Sequence, residues 1–265
     1  SGMGIIIGAA IFVFMAVTAF GTAGGRQYVR QRERTSFASQ LRTGLQNRPF
    51  MALIGTKFSQ LFGLFTSTAM VIYVIKYVFG KENPGEWMLW FTAVSFIAQV
   101  ASIPLWNRIC RSIEKQRTYV LATVIFSAAS LTWLLGSPAE PLAFFCLRAA
   151  VKGFAAAGLL LMGQSMLPDV IEYDYLRTGI RREGVFSGLY SIVEKVASTL
   201  APSVVLLAYA WFGFNARAPQ QTAAAIDGMR MAAAFLPCLY FGISLIPLYY
   251  YRLTEAGLRS AQRIS

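Results

Sequence analysis

Five charged residues lie deep inside long apolar segments of the sequence: Lys57, Arg148, Lys152, Glu194 and Lys195. A charge near the centre of a membrane-spanning helix costs at least about 2.5–3.5 kcal/mol, so such residues are functional candidates by default. Four positive charges against one negative charge leave a net +3. Either an anionic ligand or carboxylates from another part of the protein must balance this excess. At 1.5 Å per residue, Lys195 lies about 16 Å into its segment, near the midplane.

Uncharged polar residues on the same segments extend these charges into a candidate substrate site. Gln60, Tyr190 and Ser191 offer amide and hydroxyl groups, although each also suits a hydrogen bond between two helices. For Lys195, the alternative to a ligand is a structural ion pair. We predict no catalytic residues and no metal site, and the predicted substrate-binding residues are Lys195, Tyr190, Ser191, Lys57, Gln60, Lys152 and Arg148.

A second group of charges follows the fifth apolar segment and consists of Asp169, Glu172, Asp174, Arg181, Arg182 and Glu183. Pro168 suits the first position of a separate short helix, with Asp169 at its positive end. Gly179 allows the chain to turn back toward the membrane. Such charges can act as a gate that pairs when a cytoplasmic mouth closes. The alternative is a solvated loop with salt bridges worth roughly 0–1 kcal/mol each.

The elements that must position these residues are membrane-spanning helices, since about 20 apolar residues cross the hydrocarbon core. Trp106 and Trp133 lie near the ends of apolar segments, as an interfacial aromatic belt requires. The sequence predicts seven spans, at residues 4–24, 50–79, 87–106, 119–135, 142–167, 185–214 and 229–251.

Lysine and arginine are distributed unequally between the two sets of connections. One set contains sixteen of them, in segments 25–48, 107–117, 168–183 and 252–265. The other set contains only Lys81, Arg217 and Arg230. Because basic connections stay on the cytoplasmic side, we expect the C-terminus to be cytoplasmic and the N-terminus of this chain to lie outside the cell membrane.

Composition excludes several classes of function. Hydrophobic residues make up 56% of the 265 residues and charged residues 14%, with a mean hydropathy of +0.52. A usual charged fraction is about 25%, so the chain is neither disordered nor a soluble nucleic-acid binder, and no nucleic-acid partner is expected despite the net charge of +12. The absence of histidine removes the usual catalytic triads, and the three cysteines show no metal-binding spacing.

The first span predicts that the chain is a piece of a longer protein. A chain that starts at the outer face without a basic segment before its first span has nothing to guide its insertion. We therefore interpret residues 1–24 as the last helix of a missing N-terminal half and 25–48 as a basic cytoplasmic connector. Residues 49–252 then form a six-helix C-terminal bundle, followed by a cytoplasmic tail at 253–265.

The second charged group also carries a family resemblance. Residues 166–175 read MLPDVIEYDY, 179–184 read GIRREG, and 194–195 read EK. This pattern resembles the glycoside–pentoside–hexuronide:cation symporters, the melibiose-permease branch of the major facilitator superfamily. Weaker matches at 47–50 (NRPF) and 251–255 (YRLTE) extend the resemblance over residues 45–256, the C-terminal half of such a transporter.

The resemblance implies an all-α transmembrane fold and cation-coupled uptake of a sugar or glycoside by alternating access. It also implies a partner half of six helices, whose acidic residues hold the coupling cation, Na⁺ or H⁺. Lys195 matches the lysine that lines the central cavity, but Tyr190 and Glu194 depart from the family pattern, which leaves the substrate open. A lysolipid or other amphipathic anion carrier of the same superfamily is the alternative.

A seven-helix retinal protein is a more distant alternative, because it shares the predicted topology and a buried lysine. Such a protein needs its lysine in the last span and a carboxylate in the third. Here Lys195 lies in the sixth span, and segment 87–106 contains no acidic residue. The sequence therefore favours a transporter half, with the lipid bilayer, the missing half and a small-molecule substrate as its partners.

Overall fold

The computed structural model describes residues 2–22, 44–180, 182–218, 220–251 and 253. The chain divides into two units, residues 1–36 and residues 37–265. Most of the predicted connector, Arg181 and nearly all of the predicted tail lie outside the described residues.

The described residues form seven helices and no strands. The first unit contains α1, Gly2–Thr22. The second unit contains α2 Arg48–Tyr73, α3 Pro84–Ile113, α4 Lys115–Leu131, α5 Leu142–Thr178, α6 Glu183–Trp211 and α7 Ala223–Tyr250. A π-helical turn at Val74–Val78 continues α2, and a 3₁₀ turn at Thr132–Leu135 continues α4.

Helices α2–α7 are each long and apolar enough to cross a membrane. This confirms the predicted all-α fold with six membrane-spanning helices after residue 48. Helix α1 contributes a shorter apolar segment, Ile11–Gly21. Asn47 explains the sharp start of α2, because its side chain accepts a hydrogen bond from the Phe50 N–H and Pro49 occupies the first turn.

Two predicted boundaries are wrong, both where helices continue beyond the apolar segment. Helix α5 runs unbroken through Pro168 to Thr178, so the predicted separate short helix does not exist. Helix α3 likewise continues to Ile113 through most of the segment predicted as a basic connection. Hydropathy marks only the part of a helix that lies in hydrocarbon, and helices can extend past it into the polar interface.

Successive helices alternate in direction, which gives the bundle two different ends. We call the end where α2, α4 and α6 begin the basic end, and the other the far end. A core around Phe50, Trp106 and Phe186 lies toward the basic end. A second, aromatic core around Trp133 and Phe145 lies toward the far end. Contrary to the predicted belt, Trp106 and Trp133 are therefore buried inside the bundle.

Helices α3 and α5 approach each other closely because glycine replaces a side chain at their crossing. The Ser95 hydroxyl donates to the Ala149 carbonyl across this contact. A Cβ atom at Gly153 would lie only 2.1 Å from the Ser95 carbonyl oxygen. Five residues further along α5, a Cβ at Gly158 would overlap the Trp106 ring, whose Nε1 donates to the Phe154 carbonyl. These contacts fix α5 against α3.

We expect Gly153→Ala to destabilise the full-length protein by about 1–3 kcal/mol, because the backbones must separate to admit one methyl group. The measurement is the thermal unfolding midpoint in detergent. Gly242→Ala on α7 is the matched control, since nothing lies within 4 Å of a Cβ built there. Equal midpoints for the two variants would contradict the close approach of α3 and α5.

Candidate functional site

At the basic end, Asp174 connects three helices. Its carboxylate accepts hydrogen bonds from Asn47 Nδ2 at 3.1 Å and from Arg182 Nη1 at 3.2 Å. Asn47 caps α2 and Arg182 precedes α6, so one buried carboxylate of α5 fixes the starts of both helices. With side chains only 5–10% exposed, this ion pair is far better shielded from water than a surface salt bridge.

A separate contact joins α4, α5 and α7 at the same end. Lys115 Nζ lies 2.6 Å from Asp169 Oδ2 and also contacts the Ser165 carbonyl at 3.4 Å. Next to it, Gln116 Nε2 donates to the carbonyl oxygens of Tyr251 and Leu253, just after α7 ends. Lys115 thus approaches α5 within one turn of Pro168, where the helix lacks one backbone donor.

The structure assigns different places to the six predicted gate residues. Asp169, Asp174 and Arg182 make the contacts above, whereas Arg181 lies outside the described residues. Glu172 is half-buried on α5, and Glu183 is exposed as the first residue of α6. Gly179 ends α5 with a φ of 70°, as its predicted role in the turn requires.

In the middle of the bundle, α2, α5 and α6 enclose a polar group. Lys57 Nζ lies 4.8 Å from the centroid of the Tyr190 ring, and the Tyr190 hydroxyl donates to the Gly163 carbonyl. Gln60 is fully buried against Gly163, and neither its Oε1 nor its Nε2 has a hydrogen-bond partner among the described residues. Glu194 lies one turn beyond Tyr190 on the same face of α6, within electrostatic range of Lys57.

Lys195 and Ser191 lie on the exposed side of α6, near the middle of the helix. The Lys195 side chain is exposed, and its backbone carbonyl accepts hydrogen bonds from Ser198 and Thr199. The Ser191 hydroxyl donates to the Ser187 carbonyl. A charge at mid-membrane depth is costly against lipid, so this surface suits contact with protein or an aqueous cavity.

Arg148 is paired within the bundle at the far end. Its guanidinium makes a bidentate ion pair with Glu140, at 2.6 and 3.1 Å. The same group donates to the Thr132 hydroxyl and carbonyl and lies 4.5 Å over the Trp133 ring. The predicted excess of +3 counted no carboxylate for Arg148, and Glu140 compensates this one charge within the same half. Glu140 lies in the short connection before Pro141, outside the apolar segment that the charge count covered.

Burial separates the predicted substrate residues into two groups. A side chain that lines a cavity between two halves must be exposed to solvent in a structure that contains only one half. Lys195 and Ser191 meet this condition, and Glu194 meets it partly. Lys57, Gln60, Tyr190, Lys152 and Arg148 are at most 9% exposed. In this conformation their own bundle encloses them, and substrate contact by any of the seven stays a prediction.

Sequence reasoning missed four residues that organise these sites: Asn47, Lys115, Gln116 and Glu140. Asn47 carries a usable signal, because an asparagine before Arg48-Pro49 is a typical helix N-cap. The partners of the other three lie 8 to 137 residues away in sequence. Neither helical spacing nor composition marks pairs at such separations.

The six apolar helices carry charge on the exposed face of α6, which we call the open face (Ser191, Glu194 and Lys195), and at the basic end. This is the architecture of a polytopic membrane transporter. The chain belongs to the MFS/sugar transport protein family, which matches residues 1–255. It is therefore a multi-pass membrane protein of a transporter family, and not an enzyme. This confirms the resemblance seen in the sequence.

Similar proteins are named as symporters and sugar carriers. The chain is 29% identical to an uncharacterized symporter of Synechocystis sp., over 84% of this chain and 42% of that protein. It is 25% identical to the glucuronide carrier protein homolog of Escherichia coli, over 86% and 49%. It is 23% identical to the isoprimeverose transporter of Lactiplantibacillus pentosus, over 93% and 50%. The chain thus spans about half the length of these relatives and matches their C-terminal half.

We expect Asp174→Ala to destabilise the full-length protein by about 1–3 kcal/mol, because Asn47 and Arg182 lose their shared buried acceptor. The measurement is thermal unfolding together with protease cleavage near residue 180. Asp227→Ala is the control, since Asp227 forms an exposed ion pair with Arg230 on one helix and contributes well under 1 kcal/mol. If both variants unfold at the wild-type temperature, Asp174 does not hold the basic end together.

Proposed function

We propose that this chain is the C-terminal half of a cation-coupled symporter that carries a sugar or glycoside by alternating access. Membership of the MFS/sugar transport protein family supports transport, and the names of the relatives favour glycosides and sugar acids. The observation that carries the proposal is Lys195, an exposed charge halfway along α6. A lysine there suits an opposing half that supplies carboxylates and encloses a midplane substrate site.

In this proposal, Lys195 and Ser191 meet the substrate directly. Lys57, Gln60 and Tyr190 form a second layer, because they lie behind the open face of α6 and orient Glu194 and Lys195. The coupling cation, Na⁺ or H⁺, binds mainly to acidic residues of the N-terminal half. Arg148 and Lys152 lie deeper in the bundle and support its far end.

The basic end forms one side of a gate in this proposal. Asp169 and Asp174 pair with Lys115 and Arg182 of their own half in the structure. When the gate closes against the other half, each of these carboxylates exchanges its present cation for a cation of that half. The number of ion pairs therefore changes little. Such an exchange costs little free energy, because each carboxylate keeps a cation in both states.

Replacement of Lys195 by alanine tests the proposed substrate site. We expect uptake of a radiolabelled glucuronide or isoprimeverose by the full-length protein to fall about 10- to 100-fold, since a hydrogen bond to a charged group contributes about 1.5–3 kcal/mol. Lys76→Ala, at an exposed lysine near the end of the same bundle, is the control and keeps wild-type uptake. Wild-type uptake by Lys195→Ala would refute the assignment. Uptake driven by a Na⁺ gradient or by a proton gradient identifies the coupling ion.

We further propose that the basic end is cytoplasmic. In a variant without native cysteines, we expect Glu82→Cys to react with an impermeant maleimide in intact cells, because residue 82 lies in an exposed connection at the far end. Arg111→Cys, exposed near the end of α3, reacts only after the membrane is permeabilised. The opposite pattern would reverse the orientation.

A further inference from the structure

Lys152 is a cation enclosed in the interior of the six-helix bundle. The residue is 4% exposed, and its ammonium donates to the Ser67 hydroxyl of α2 at 2.5 Å. It also lies 4.9 Å from the Phe126 ring centroid and 5.4 Å from that of Trp133, both contributed by α4 and its final turn. Helix α5 thus inserts one charge between α2 and α4.

No carboxylate within the described residues pairs with this ammonium. Arg148 lies one turn earlier on α5, and Glu140 already neutralises its guanidinium. The facing titratable group on α7 is the Cys238 thiol. A separate N-terminal half cannot supply a counter-charge here, since the bundle itself covers the site. The two aromatic faces favour the charged ammonium but do not neutralise it.

A second buried group at the same place has no partner. Phe126, Ser130 and Trp133 follow one another at intervals of four and three residues, so they face the same side of α4. Ser130 therefore lies between the two rings that hold the ammonium. It is 0% exposed, and its hydroxyl makes no hydrogen bond in the described part of the chain. Orphan buried hydroxyls are costly unless a ligand or water satisfies them.

We propose that Lys152 and Ser130 hold a small monovalent anion of the halide class. Such an ion accepts from the ammonium and from the Ser130 hydroxyl, and it neutralises a buried cation that has no carboxylate partner in the described part of the chain. A water molecule would satisfy the hydroxyl but leave the charge unbalanced in a low-dielectric interior. The site is separate from the substrate face of α6, because it lies among α2, α4 and α5.

Arg148, one turn before Lys152 on α5, also lines a separate cavity. A cavity of about 480 Å³ lies between α4 and α5 at the far end, and Ala129 and Val151 line it. Ser130 and Lys152, the next residues along the two helices, do not line this cavity. Its wall contains the Arg148–Glu140 pair, in which the carboxylate already neutralises the guanidinium.

Unfolding of the full-length protein in detergent tests the anion site. We expect the midpoint to rise with added sodium chloride or bromide and to saturate, relative to sodium gluconate at the same ionic strength. Ser130→Ala, a change that removes only the hydroxyl, shifts half-saturation to about tenfold higher halide. Lys152→Met abolishes the halide dependence. Lys76→Met is the matched control, because Lys76 also lies over an aromatic ring, 4.9 Å from that of Tyr77, but is exposed.

Direct detection keeps the proposal falsifiable if Lys152→Met fails to fold. In crystals grown in bromide, we expect one anomalous peak within hydrogen-bonding distance of Lys152 Nζ. Equal midpoints in chloride, bromide and gluconate for the wild-type protein would overturn the proposal. That result would mean that the amine is neutral or that water fills the site. A halide response that persists in Ser130→Ala with unchanged half-saturation would also overturn it.

Discussion

The need to compensate charge where no bulk water is available determines how this bundle is arranged. A polar group in hydrocarbon must find its partner inside the protein, and each charge buried in α2–α7 meets that requirement differently. Arg148 uses a nearby carboxylate, and Lys57 uses the Tyr190 ring with Glu194 in range. Lys195 forms no ion pair within the described residues and lies on the exposed face of α6. The partner of each charge thus indicates its surroundings: charges paired within the bundle face its interior, and the exposed charge of α6 faces away from it.

Helix α5 carries most of this arrangement. It is the longest described helix, with 37 residues, and it contributes Arg148 and Lys152 to the far half and Asp169 and Asp174 to the basic end. Gly153 lets α3 approach its backbone, and the Gly163 carbonyl accepts the Tyr190 hydroxyl of α6. Helix α5 thus ties α2, α3, α4 and α6 into one bundle, which suits the rocking of two halves in the proposed mechanism.

The sequence predicts the coarse fold well because membrane spans depend on local hydropathy. The sequence alone predicts six spans and, from the motif at 166–195, the family. It does not predict the ends of α3 and α5, since charged residues in the interface do not stop a helix. Pairs such as Arg148–Glu140 and Gln116–Tyr251 are set by tertiary packing across connections, and helical periodicity carries no information about them. Trp106 also shows that a tryptophan near the end of an apolar segment can belong to the core.

In the proposed transporter, the same burial argument limits which side chains of this half can reach a substrate. If Lys57 and Gln60 stay behind α6, the open face of this half offers a lysine, a serine and a partly accessible glutamate. Glu194 beside Lys195 makes that face nearly neutral, so a strongly anionic substrate gains little net attraction unless Lys57 draws Glu194 inward. The α2–α6 contact then controls the charge that the cavity presents. Under the proposed function, substrate preference consequently depends on Lys57, a residue that need not touch the substrate.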